Sequence, residues 1–153
     1  MGFPESELIK DEIVLRDIKI SQDILLSRKA MVRWLALSLG LISPNETRTL
    51  MLDILEVLLH FHFKEKNPDI HNILDELEKN KKEEPNPKAV RYHLLQLKNK
   101  GIIDSKQRKY YFITGSLPEN NELSSSLEDI YFKKLESSFK QITKIIKAIK
   151  RTY

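Results

Sequence analysis

The chain has 153 residues, 41% hydrophobic and 31% charged, with a formal net charge of +4. These figures exclude an intrinsically disordered or collagen-like chain, and the length suits one domain with an appendage. With no cysteine there is no disulfide, thiolate zinc site, iron–sulfur cluster or cysteine nucleophile. Nor does any apolar run reach the roughly 20 residues of a bilayer span. The best candidate, 31–42, is broken by Arg33, Ser38 and Gly40. The first residues lack a signal-peptide pattern, so the expected localisation is cytoplasmic, with no membrane partner.

In chain order, residues 1–42 form an N-terminal extension. Leu8, Ile9, Ile13, Ile20 and Ile24 can share a helix, although Val14 to Lys19 also suit a strand; helix is the preferred reading. Ser27 caps a helix from Arg28 to Leu39, stopped by Gly40, with Ala30, Met31, Trp34, Leu35 and Leu37 expected to be mostly buried. A second region, 43–115, opens on Ser43-Pro44-Asn45-Glu46, which combines a cap, a first-turn proline and a glutamate three residues on. This predicts a helix over 44–66 with a stripe of Leu50, Ile54, Val57, Leu58 and Phe61. Asn67-Pro68-Asp69 starts a shorter helix, 68–80, carrying Ile70, Ile73, Leu74 and Leu77. Asn86-Pro87 starts a third, 87–100, in which Val90, Leu94 and Leu97 face inward before a stop at Gly101.

Beyond Gly101 the period shortens. Ile102-Ile103 and Tyr110 to Ile113 read as a hairpin over 102–113 whose polar tip is basic. Residues 116–153 comprise a linker, to which Ser124-Ser125-Ser126 is assigned, and one long helix. On that helix Leu135, Phe139, Ile142, Ile146, Ile149 and Tyr153 recur at alternating spacings of four and three. Such a narrow seam among lysines calls for a partner helix, most simply its twin in a homodimer; packing on its own domain is the alternative.

Charge is segregated along the chain. Residues 86–113 hold seven cations against one acid, and 131–153 hold seven against one, whereas 68–85 is net −3. On helix 87–100 the outward positions are Lys88, Arg91, Tyr92 and Gln96, with His93 beside them. Arginine and glutamine can reach guanine and adenine edges in a major groove, whereas lysine mostly meets phosphate. The hairpin tip Lys106-Gln107-Arg108-Lys109 suits the flanking backbone or minor groove. Arg48 and the amides opening helix 68–80 are further candidate phosphate contacts.

Three helices and a hairpin in this order match a winged helix-turn-helix. The stretch Val90-Arg91-Tyr92-His93-Leu94-Leu95-Gln96-Leu97-Lys98-Asn99-Lys100-Gly101-Ile102-Ile103 resembles the recognition helix and first wing strand of prokaryotic winged-helix transcriptional regulators, the ArsR-like and PadR-like class. The resemblance covers roughly residues 44–113. A winged helix followed by a lone coiled-coil helix is also similar to small archaeal DNA-binding proteins that dimerise through that helix. The resemblance implies a mainly α fold with a small β-hairpin wing, flanked by N-terminal helices and a long C-terminal helix. It also implies double-stranded DNA as partner. Winged helices also serve as protein–protein modules, which is the alternative reading.

Other chemistry has little support in the sequence. His60 and His62 point about 200° apart on a helix and cannot share an ion, and neither His71 nor His93 completes a known ligand spacing, so no metal or cofactor is expected. Phe61, Phe63, Tyr110, Tyr111, Phe112 and Trp34 are assigned to core and wing packing. No phosphate loop, nucleophile elbow or zincin motif is present, so no enzyme is expected.

Overall fold

The computed structural model describes residues 4–113 and 122–153. Within them the protein is mainly helical, with a two-stranded antiparallel hairpin and a long C-terminal helix. The N-terminal arm contains only two single-turn helices, α1 (Glu5–Leu8) and α2 (Gln22–Leu25). Between them the chain forms neither helix nor strand, contrary to the helix preferred from Leu8, Ile9, Ile13, Ile20 and Ile24. The reason is tertiary. Arg16 donates from Nη1 to the carbonyls of Leu37 and Ile42 at 2.8 and 2.9 Å, and exchanges two further bonds with Ser38. The Trp34 indole donates to the Lys19 carbonyl at 3.0 Å. The arm therefore uses its polar groups on α3 (Arg28–Ser38) and the turn after it, rather than on itself.

In α3 the cap is as expected, the Ser27 hydroxyl accepting from the Ala30 amide at 3.2 Å. Its buried face is Val32 and Ala36, however. Met31 is exposed and Ala30, Trp34, Leu35 and Leu37 are half-buried, because the arm covers this helix only thinly. Gly40 ends it at φ +72°, and a Cβ there would lie 2.6 Å from that of Val14, so both the turn and the arm's passage require glycine.

The central helix α4 (Leu50–Phe63) begins six residues later than Ser43-Pro44 suggests. Those residues form a β-turn closed by the Glu46 amide on the Ser43 carbonyl at 3.1 Å, with Asn45 at φ +64°. Proline followed by a left-handed asparagine is the type II turn signature, and it competes with a capping box for the same residues. α4 packs against α3, α5, α6 and β2. Ile54, Leu55, Val57 and Leu58 are almost wholly buried on it, with Leu50 and Phe61 half-buried. Phe63, assigned to packing from sequence, is instead exposed.

The next helix, α5 (Ile70–Lys81), is capped by Asp69 rather than Asn67, in a reciprocal box with Asn72. It stops at Lys82, which takes a left-handed φ of +59°. α6 (Pro87–Asn99) follows its signals closely. The Asn86 side chain accepts from the Lys88 amide at 3.0 Å, and Gly101 reverses the chain at φ +77°. Val90, Leu94 and Leu97 are 0%, 1% and 0% exposed, which locks one face of α6 into the core with Ile73 and Leu77 of α5. Strands β1 (Ile103–Lys106) and β2 (Lys109–Phe112) pair with Ile103 opposite Phe112 and Lys106 opposite Lys109. Most of the polar run Asp104–Lys109 is thus strand, and the turn is only Gln107-Arg108.

Helix α7 (Leu123–Lys150) includes Ser124, Ser125 and Ser126, which sequence assigned to a linker; Ser126 is buried, its hydroxyl bonded to the Glu122 carbonyl. Glu122 and Leu123, also expected in the linker, cap and begin this helix, and the linker up to residue 121 lies outside the described residues. The Tyr131 hydroxyl donates to the Leu39 carbonyl at 2.9 Å, and the Lys134 ammonium donates to the Lys100 carbonyl at 2.7 Å. Past these two anchors every residue from 135 to 153 is exposed. No described helix is long and apolar enough to cross a membrane.

Candidate nucleic-acid interface

With one face of α6 locked inward, its remaining positions are dictated by helical geometry. Lys88, Arg91, Tyr92 and Leu95 are exposed, while His93 and Gln96 are half-buried. Neither half-buried side chain is free. The Gln96 amide nitrogen donates to the Tyr92 hydroxyl at 3.1 Å, and its oxygen lies 3.2 Å from His93 Nδ1. An amide oxygen only accepts, so this network assigns the histidine proton to Nδ1. Tyr92 and His93 also meet edge to face at 5.6 Å. The three side chains form one braced unit on the outer surface of α6, leaving Lys88 and Arg91 as its unbraced cations. Leu95, 54% exposed among them, was not singled out from sequence.

The hairpin is held to α6 and to the rest of the core by polar links along its strands. Lys98 donates to the Ser105 hydroxyl at 3.0 Å and lies 3.7 Å from the Asp104 carboxylate, so this lysine ties helix to strand. The Tyr110 amide donates to the Pro68 carbonyl at 2.8 Å. At the other end Gln107 and Arg108 take left-handed φ values of +54° and +65°. That is the two-residue turn whose twist suits a hairpin, built without the usual asparagine and glycine. Lys106, Gln107, Arg108 and Lys109 are all exposed. Among the described residues, none of Lys88, Arg91, Lys106, Arg108 and Lys109 has a carboxylate within 4.0 Å.

Two peripheral candidates fare differently. The Arg48 side chain is 93% exposed, but its nearest charge is Glu46 at 3.9 Å, which also accepts from its amide. At the start of α5 the Asp69 carboxylate accepts from the Asn72 amide at 2.8 Å, so one of the amides expected to meet phosphate is taken and an anion already stands there.

Elsewhere, His62 sits edge to face with Phe112 at 5.3 Å, and burial lowers its pKa from 6.5. His60 lies 3.9 Å from Glu76. Among the described residues no three histidine or acidic side chains gather as a metal site. On α7 the whole seam is uncovered in the single chain, from Leu135 at 37% exposure to Tyr153 past the helix end. Phe132 and Ile145 extend the same apolar surface. Phe132 could have been read from its spacing of three before Leu135.

Comparison of the chain with models of protein families, with curated proteins and with solved structures finds no match in any of the three.

Proposed function

We propose that the protein is a dimeric, winged-helix double-stranded DNA-binding protein, most simply a transcriptional regulator. In this reading α6 enters the major groove, the β1–β2 turn meets flanking phosphate, and α7 pairs two copies. One observation carries it: among the described residues Lys88 and Arg91 of α6 and Lys106, Arg108 and Lys109 of the hairpin have no carboxylate neighbour, on two elements tied together by the Lys98–Asp104 pair. Acidic side chains usually balance a merely solvated basic face, and here they lie on α5 instead. Arg91 is placed to reach a base edge, and Lys88, Lys106, Arg108 and Lys109 to meet phosphate. Gln96, being hydrogen-bonded at both ends of its amide, positions Tyr92 and His93.

The reading is tested by titrating the purified chain against a fluorescent random-sequence duplex at two salt concentrations. Micromolar binding that falls steeply with salt is expected, because released counterions dominate such affinity. No binding at low salt overturns it. A protein–protein role is the second reading, favoured by the exposure of Tyr92 and Leu95 on the same face. Under that reading Leu95→Asp abolishes partner capture; under the first, it changes DNA affinity far less than Arg91→Ala.

A further inference from the structure

The N-terminal arm and the end of α7 are both exposed and apolar, and they carry opposite charge. In the arm, Leu8, Ile9 and Leu15 are 65%, 56% and 57% exposed. Residues 4–12 hold Glu5, Glu7, Asp11 and Glu12 against Lys10 alone. Along the end of α7, Ile142, Ile145, Ile146 and Ile149 are exposed, and 138–153 hold Lys140, Lys144, Lys147, Lys150 and Arg151 with no acid. Among the described residues Glu5, Glu7 and Glu12 have no cation within 4.0 Å, and Lys144, Lys147, Lys150 and Arg151 have no carboxylate.

These two surfaces cannot meet within one chain. The arm is fixed beside the base of α7, where Asp11 lies 3.3 Å from Lys134 and the Tyr131 hydroxyl holds Leu39. α7 then runs on as one unbroken helix to Lys150. At about 1.5 Å per residue its end lies about 28 Å from that base. We propose that the arm is a docking surface for the end of α7 of a second copy. The α7 helices then run antiparallel, with Phe139 against the second copy's Ile142 and Phe132 against its Ile149. In that register Lys147 and Lys150 of one copy come beside Lys134 and Tyr131 of the other, where Asp11 already faces Lys134 and can be shared with a second cation, and Glu12 follows it in sequence. A parallel pairing would instead bring two sets of five cations together and leave both acidic arms unmatched. This inference rests on the proposed homodimer but not on DNA binding.

Two measurements on the full chain test it. Thr152→Cys introduces the chain's only thiol, to which a spin label is attached. Docking on the opposite arm sets the two labelled positions about 35 Å apart, since each lies about 23 residues from its counterpart along the paired helices. A distance below roughly 20 Å means parallel helices and overturns the proposal while keeping the dimer. Separately, the exposed triple substitution Glu5→Gln, Glu7→Gln, Glu12→Gln should weaken the dimer by about threefold to tenfold in sedimentation at low salt. An unchanged dimer removes the arm from the interface. A chain that stays monomeric at every concentration overturns both the proposal and the dimer on which it rests.

Discussion

Helices α6 and α7 carry similar patterns and meet opposite fates. Each is basic on one side and apolar at helical spacing on the other. In α6 the apolar residues Val90, Leu94 and Leu97 are sealed under α4 and α5, whereas in α7 the series from Leu135 to Tyr153 stays exposed. The difference is one of reach. α6 is a 13-residue helix between two tight reversals, so its stripe returns to the core, while α7 outruns the core after Lys134. A buried stripe makes the outward face of α6 available to a ligand. An exposed one makes the apolar face of α7 itself the contact.

Substitution of the two stripes gives the largest contrast. Leu94→Ala should cost about 3 kcal/mol of unfolding free energy, since it opens a cavity in a packed core; chemical denaturation measures this. Ile146→Asp should leave the thermal transition of the domain in place but shift sedimentation to monomer. A persistent dimer would place the interface elsewhere.

On the outward side, Arg91→Ala should weaken binding to a preferred duplex by about 1–3 kcal/mol and relax discrimination at one base pair, which competition binding checks. Unchanged affinity for the best site would remove α6 from the groove.

Arg108→Gly separates stability from binding within a single residue. It relieves a left-handed non-glycine residue and should stabilise the fold by about 1 kcal/mol. The same change removes a phosphate contact, so binding to all sequences weakens and the salt slope falls by about one. Greater stability with an unaltered slope would show that the turn does not touch DNA.

The smallest effect concerns His62. Burial lowers its pKa in the folded state, so the unfolded chain binds this proton more readily. The associated stability is present above pH 6.5, the unfolded value, and is lost as pH falls through the folded one. His62→Gln should flatten the fall in Tm as pH drops below 6.5. An unchanged fall would assign it to other groups.

Local signals located most of the molecule. Ser27, Asn86, Gly40 and Gly101 mark real helix ends, because a cap or a left-handed reversal is decided within four residues. The inward stripes of α4, α5 and α6 follow their period for the same reason. The outward cations of α6 and the hairpin turn are legible as their complement. Signals failed where two local structures compete for one motif, as at Ser43-Pro44-Asn45-Glu46, where Asn45 could turn left-handed and close a β-turn. They failed again where distant partners decide. Nothing near Arg16 announces that its guanidinium will bind the carbonyls of Leu37 and Ile42, and that pairing ties the arm to the end of α3.

The same division holds for function. Sequence by itself determined that the chain is electrically segregated, that helix 87–100 turns basic residues outward, and that its last helix carries a seam. Charge and period are properties of order along the chain. Only the tertiary structure decided that Gln96 is hydrogen-bonded to its neighbours, that Lys98 belongs to the hairpin rather than to a ligand, and that Lys134 and Tyr131 pin α7 beside an acidic arm. Those outcomes depend on which polar groups meet across turns and between helices, and such meetings arise from packing rather than from spacing along the chain.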